Sequence, residues 1–175
     1  MSIRFILLFS VLLTAGCRQF EIIERPIEFG LERNELTLAY LDEHYGIQQN
    51  TPVITPRMVV VHWTEIATLE KSFEAFYSTT LPDSRPEIAG ASSLNVSAHY
   101  LVDQDGTIYH LMPDTIMARH VIGLNHCAIG IENVGGTPDK PLTEAQLKAN
   151  IQLIKQTETR WIQKRFLQRL ARISS

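Results

Sequence analysis

The chain has 175 residues, which is enough for one domain with a hydrophobic core and too few for two domains of ordinary size. Its 16 basic and 19 acidic residues give a net charge of -3, which argues against nucleic acid or another polyanion as a partner. The charge is uneven, because the stretch 159–175 carries five basic residues and no acidic one. This tail differs in composition from the rest of the chain.

The first 17 residues have the pattern of a bacterial lipoprotein signal peptide. Arg4 supplies a positive charge, and the apolar run over 5–15 is too short to span a bilayer as a stable helix. The segment Leu13-Thr14-Ala15-Gly16-Cys17 resembles a lipobox, in which cleavage leaves the cysteine as a lipid-bearing N-terminus. We therefore expect a protein anchored through Cys17 to a membrane, with the outer membrane favoured, in the periplasm or at the cell surface. The alternative is an ordinary secretory signal with an incidental cysteine.

The next elements are a tether, a helix and a strand. Residues 18–50 are predicted to form a charged tether followed by a helix over 32–45 that stops at Gly46. Three consecutive valines then predict a short strand, buried on both faces, that ends at His62 where the sheet meets solvent. Thr68 is expected to cap a helix over 69–77 with an apolar side that packs on the core.

A hairpin dominates the second half of the chain. Strands are predicted over 97–102 and 107–112, because Asp105-Gly106 between them is a strong turn signal. The long segment 81–94 before them reads as a functional loop, and 113–118 as a helical turn. A further strand over 128–134 contains Glu132. Thr143 and Gln146 form a capping box ahead of a helix that runs toward the end of the chain.

Histidines and one glutamate are the candidates for chemistry. A catalytic zinc needs three protein ligands and one open position. No HExxH motif or Cys-x-x-Cys pair occurs, so spacing alone favours a structural role for His99 and His110. Glu132 lies between Ile131 and Val134 in an apolar strand, where a carboxylate is costly to bury unless it is paired. It is therefore either at a strand end or in a site.

Four segments resemble a known family in the order in which they occur. They are 59–64 (Val-Val-Val-His-Trp-Thr), 95–109, 118–120 (Ala-Arg-His) and 125–133. Over positions 52 to 155 the chain resembles the type 2 zinc amidases, N-acetylmuramoyl-L-alanine amidases related to the peptidoglycan recognition proteins. The resemblance implies an α/β fold with a mixed central β-sheet flanked by helices. It also implies zinc-dependent hydrolysis of the amide between N-acetylmuramic acid and L-alanine in peptidoglycan.

The same resemblance assigns roles to individual residues. His62 matches the first zinc ligand of the family, and Glu132 matches a glutamate that several members use as catalytic acid/base. His120 and Asn125 fall in segments that form the cleft wall, so we assign them to substrate binding. His99 matches a strand histidine with a structural or a catalytic role. The implied cofactor is Zn²⁺, and the implied partners are peptidoglycan and, through the lipid anchor, a membrane.

The chain departs from the family pattern after residue 155. We expect an incomplete amidase-like domain over 51–155 that lacks the usual C-terminal strand and its loop of further zinc ligands, and an atypical basic tail over 156–175. No histidine follows His126. The tail is either a frameshifted or truncated product or a natural replacement. Its spaced apolar residues predict a basic amphipathic helix that covers the core or lies on anionic lipid.

Three hypotheses of function follow. The first is an active zinc amidase in which His99, His110, His120, His126 or another molecule supplies a further zinc donor. The second is a peptidoglycan-binding lipoprotein without hydrolase activity. The third is a defective product that folds poorly because a terminal strand is missing.

Overall fold

A computed structural model of the chain describes residues 21–82 and 90–173. In this part, five strands form one sheet and three helices flank it, so the predicted α/β class with a mixed central sheet is confirmed. The strands are β1 (Ile22–Glu24), β2 (Met58–Trp63), β3 (Tyr100–Val102), β4 (Ile108–His110) and β5 (Ala128–Asn133). The helices are α1 (Leu31–Tyr45), α2 (Leu69–Tyr77) and α3 (Glu144–Ile173). The predicted signal peptide and Cys17 lie outside the described residues.

The strands follow the order β1-β4-β3-β5-β2 across the sheet. Strands β3 and β4 pair antiparallel and form the predicted hairpin, with Gly106 at φ 88° in the turn. Both strands are shorter than predicted. The other neighbours, β1 with β4, β3 with β5, and β5 with β2, pair parallel. Strand β5 lies inside the sheet and is buried along its whole length, whereas β2 forms an edge.

Two layers cover the sheet. Helix α3 packs on one face, where its side chains meet those of three strands (Tyr100, Val102, Ile108, Ile129, Ile131, Ala149 and Leu153). Helix α2 packs on the other face beside Leu101, chiefly through Phe76. Because side chains alternate along a strand, this second face also bears His62, His99, Gly130 and Glu132. We call it the histidine face.

Two strand predictions need correction. Residues 22–24 form β1 rather than part of a tether, because this segment pairs with β4 and the chain then continues beside it through Ile27, whose N–H donates to Leu111. A strand of three residues is too short to show periodicity. Strand β2 is not buried on both faces, because it is the edge strand and Val61 is 46% exposed. A run of valines predicts a strand but does not reveal its neighbours.

The helix predictions are confirmed with small changes. Helix α1 ends at Tyr45 and is followed by Gly46, which adopts the left-handed conformation. Helix α2 has the predicted bounds, but the Thr68 side chain makes no capping hydrogen bond. The capping box of α3 is present, since Gln146 N–H donates to Thr143 Oγ1 at 3.1 Å and Thr143 N–H donates to Gln146 Oε1 at 3.1 Å. The predicted helical turn over 113–118 is a single tight turn, closed by the N–H of Ile116 on the carbonyl of Pro113.

The described part of the chain contains no helix that is both long and apolar enough to cross a membrane. The predicted amphipathic face of the tail concerns side chains from 161 onward, which lie outside the described part.

Candidate functional site

His62 lies near the end of β2, on the histidine face and directly beside Glu132 of β5. Its backbone is held by two asparagines. Asn133 Nδ2 donates to the carbonyl of His62 at 2.9 Å, and Asn150 Nδ2 of α3 donates to Asn133 Oδ1 at 2.7 Å. Helix α3 therefore fixes the end of β2 from the opposite face of the sheet.

His120 reaches the same place from the loop that precedes β5. Its ring lies against Gly130, where an added Cβ would stand 2.6 Å from the Cγ of His120. Asn125 holds the loop, because its Oδ1 accepts hydrogen bonds from the N–H groups of His120 and Val121, each at 2.8 Å. Glycine in β5 and asparagine in the loop thus determine where the His120 ring lies.

The two imidazoles meet edge to face with Nε2 of His62 3.1 Å from Nδ1 of His120. The Nε2 of His120 lies 3.3 Å from the carbonyl oxygen of Ala128. Because a carbonyl only accepts, this Nε2 carries the proton, and the Nδ1 of His120 accepts a hydrogen bond from the Nε2–H of His62. A metal-binding histidine is oriented in the same way, with its second nitrogen donating to a backbone carbonyl.

His99 lies next to the pair but has no nitrogen to offer. Its Nδ1 accepts the N–H of Gly130 at 3.0 Å, and its Nε2 lies 2.9 Å from the carbonyl oxygen of Ile116, to which it donates. Complete burial lowers the pKa of His99 to about 4, so the ring is neutral near pH 7. His99 therefore joins β3, β5 and the loop before His120, which is the structural role.

Burial also keeps the other two imidazoles neutral. It lowers the pKa of His120 to about 3, with the neighbouring His99 and His62 adding to the effect. Burial lowers the pKa of His62 as well. Neutral imidazole is the form that binds metal ions, so no proton has to be removed from the pair at pH 7.

Glu132 is 9% exposed and lies between His62 on β2 and Leu101 on β3 in the sheet register. A carboxylate in such surroundings is costly unless other groups stabilise it. Glu132 is the penultimate residue of β5 and lies beside His62, so its position agrees with both sequence predictions, a strand end and a site.

The geometry of the histidine pair matches two of the protein ligands of a zinc ion. Zn–N distances of about 2.0–2.1 Å in a tetrahedral site put two nitrogens about 3.3 Å apart, close to the 3.1 Å between His62 and His120. Among residues 21–82 and 90–173, no group of three or more His, Cys, Asp or Glu side chains is arranged to hold a metal. His110 pairs with Glu24, and the His126 ring packs against Tyr45. Neither histidine supplies a further donor to the pair.

The structure changes the role of Asn125 and adds one residue. Asn125 is 1% exposed and its amide is occupied by the loop, so it positions His120 rather than contacting substrate. Gly130 was not among the predicted site residues. A glycine inside an apolar strand indicates close approach by another group, and that signal was present in the segment Ile129-Gly130-Ile131. Cys17 lies outside the described residues.

Comparison with known proteins agrees with this fold. The structure is similar to the amidase LysC from Clostridium intestinale URNW, with 21% identity, 81% of this chain and 76% of that chain covered, and a TM-score of 0.50. It is similar to an AmpD derivative, with 24% identity, 80% and 75% covered, and a TM-score of 0.51.

Two comparisons of sequence concern the family. Peptidoglycan recognition protein 3 of Mus musculus is 40% identical over 60 residues, which are 34% of this chain and only 17% of that protein. The family described as N-acetylmuramoyl-L-alanine amidase matches residues 37–171, which is most of the chain. The match extends on both sides of the predicted domain over 51–155. The chain therefore belongs to the N-acetylmuramoyl-L-alanine amidase family.

Proposed function

We propose that the chain hydrolyses the amide between N-acetylmuramic acid and L-alanine in peptidoglycan, with zinc held by His62 and His120. The observation that carries the proposal is the 3.1 Å approach of two neutral imidazole nitrogens beside Glu132. Membership of the amidase family supports the reaction, and similarity to a protein named for peptidoglycan recognition supports the substrate class.

In this proposal each residue of the site has a different role. Zinc at such a pair supplies Lewis-acid activation of an amide carbonyl and of water. His120 would offer Nδ1, and His62 would offer Nε2 once the proton that Nε2 donates to His120 has moved to its own Nδ1. The carbonyl of Ala128 keeps the second nitrogen of His120 protonated and the ring in place. Glu132 is the carboxylate that accepts a proton from the attacking water and returns it to the leaving nitrogen.

A second candidate function is peptidoglycan binding without hydrolysis. The observation in its favour is that the described residues bring together two metal-binding nitrogens rather than the three protein ligands of an ordinary catalytic zinc site. In this case the histidine face recognises the glycan–peptide junction, and chelators leave binding unchanged.

We also propose that the protein works outside the cytoplasm, anchored to a membrane by lipid on Cys17. The support is the lipobox-like segment 13–17 of the sequence. Metabolic labelling with a radioactive fatty acid tests it directly. Label that is incorporated into the natural chain and lost in Cys17→Ser supports the anchor, and an unlabelled natural chain rules it out.

The amidase proposal is tested by incubating the zinc-supplemented protein with purified sacculi and identifying released stem peptides by mass spectrometry. We expect free stem peptides with L-alanine at the amino end from the natural chain, and none from His120→Ala or Glu132→Gln. His110→Ala is the matched control, because His110 lies away from the pair and binds Glu24. Pelleting with sacculi in the presence of EDTA, without peptide release, would favour the binding function instead.

A further inference from the structure

Strand β2 leaves one edge of the sheet open. It stands last in the strand order and pairs with β5 along its six residues, and no described strand lies on its other side. An open edge presents a row of unpaired backbone donors and acceptors that another strand can join. The edge is close to the site, because His62 belongs to this strand.

The backbone groups that face outward can be identified from the hydrogen bonds at the end of the strand. Thr64 N–H donates to the carbonyl of Asn133 at 2.9 Å, and the carbonyl of His62 accepts from Asn133 Nδ2. Residues 62 and 64 thus direct their backbone groups toward β5. Since successive residues alternate, Val59, Val61 and Trp63 direct theirs away from the sheet.

The side chains along this edge are apolar and uncharged. Val61 is 46% exposed and Trp63 is 55% exposed, on the face that α3 covers. Exposed edge strands in natural proteins usually carry charges, prolines or bulges that prevent pairing. Here the charges stand only at the two ends, with exposed Arg57 before the strand and exposed Glu65 after it.

We propose that the occupant of this edge is β2 of a second copy of the chain, antiparallel to the first, with Val61 on the twofold axis. Only a register that places outward-facing residues opposite each other forms a ladder. With Val61 opposite Val61, residue 59 of each copy faces residue 63 of the other. Three outward-facing residues from each copy then make six backbone hydrogen bonds.

Self-complementarity is the reason to choose a second copy over another partner. Antiparallel pairing brings the Arg57 end of one strand beside the Glu65 end of the other, twice, so that opposite charges meet at both ends. The central pairs are valine with valine and valine with tryptophan, which suit a pleated surface. The product is a continuous ten-stranded sheet in which both histidine faces lie on the same side.

Sedimentation velocity over a range of micromolar concentrations tests the oligomeric state. All samples carry Cys17→Ser, so that neither lipid nor this thiol contributes. We expect a reversible dimer, and at least tenfold weaker association in Val61→Lys, which places two ammonium groups together on the axis. The control is Ile122→Lys, at an apolar side chain that is 93% exposed and does not belong to β2. It should dimerise like the parent chain.

The register is tested by disulfide formation. Directly opposed residues in a hydrogen-bonded antiparallel pair have Cα atoms about 5.5 Å apart, within the range that a disulfide spans. Val61→Cys should therefore oxidise to a dimer linked through position 61, whereas Val60→Cys, which faces His62 of the other copy, should not. A parent chain that stays monomeric overturns the proposal. So does a dimer that Val61→Lys leaves intact, or one that links equally well through position 60.

Discussion

Replacing Gly130 by alanine should separate the two imidazoles without substituting either histidine. The ring of His120 lies on Gly130, and the new Cβ would stand 2.6 Å from Cγ and 2.8 Å from both Cδ2 and Nδ1 of His120. Non-bonded heavy atoms prefer about 3.5–4.0 Å, so the ring has to retreat by about 1 Å. The nitrogen that faces His62 retreats with it.

The size of the effect follows from this displacement. Overpacking of a filled site costs about 1–3 kcal/mol, and that is the expected loss in free energy of unfolding. The 3.1 Å separation of the two nitrogens matches a shared zinc, and a shift of about 1 Å removes the match. Zinc affinity should fall about 10–100-fold, as it does when groups that orient metal ligands are lost.

The assay is competition for zinc against a chromophoric chelator, with thermal unfolding measured in parallel. Gly30→Ala is the matched control, because Gly30 has an extended backbone and no atom within 4 Å of an added Cβ. Its affinity should stay within a factor of two of the natural chain. If Gly130→Ala binds zinc as tightly as Gly30→Ala does, the reasoning from the His120 ring to the metal site is refuted.

Three further predictions concern two residues beside the histidine pair and one buried arginine at the end of α2. The pKa of His99 is about 4 in the folded state against about 6.5 when unfolded, so unfolding takes up a proton at His99 below pH 6.5. His99 should account for about 2–3 kcal/mol of the stability lost between pH 7 and 4, and the buried His120 should add to the total loss. Chemical denaturation should therefore show about 2–3 kcal/mol less loss in His99→Gln than in the natural chain. Asn125→Ala should weaken zinc binding, because the loop that holds His120 loses the hydrogen bonds that fix it. Asn125→Asp keeps the accepting oxygen and should retain most of the zinc affinity. Isothermal titration calorimetry with zinc measures both. Arg33 is buried and donates to the carbonyls of residues 76–78 at the end of α2. Arg33→Met should therefore lower the free energy of unfolding by about 2–4 kcal/mol in a urea titration. An unchanged midpoint of unfolding would contradict this role.

Local signals predicted much of the secondary structure correctly. The Asp105-Gly106 turn predicts the hairpin of β3 and β4 because its backbone conformation is local. The capping box at Thr143 predicts the start of α3 for the same reason. His62 was expected at the end of a strand, and β2 ends one residue later. In each case the residues that determine the element are neighbours in the chain.

The arrangement of the site depends on contacts between distant residues. His62 and His120 are 58 positions apart, and their approach depends on the parallel pairing of β2 with β5 and on the small size of Gly130. Asn125 was assigned to substrate because its segment borders the cleft in the family, but a motif does not show which way an amide points. Similarly, the valines of β2 do not reveal that the strand lies at an edge. These features follow from tertiary packing.

X-ray absorption at the zinc edge tests most directly whether His62 and His120 share a metal. In the zinc-loaded natural chain, we expect two imidazole nitrogens at about 2.0–2.1 Å from zinc. His120→Ala should leave one imidazole and bind zinc more weakly, while His110→Ala should give the same spectrum as the natural chain. A spectrum unchanged by His120→Ala, or a natural chain that takes up no zinc, would show that His62 and His120 do not share a zinc ion.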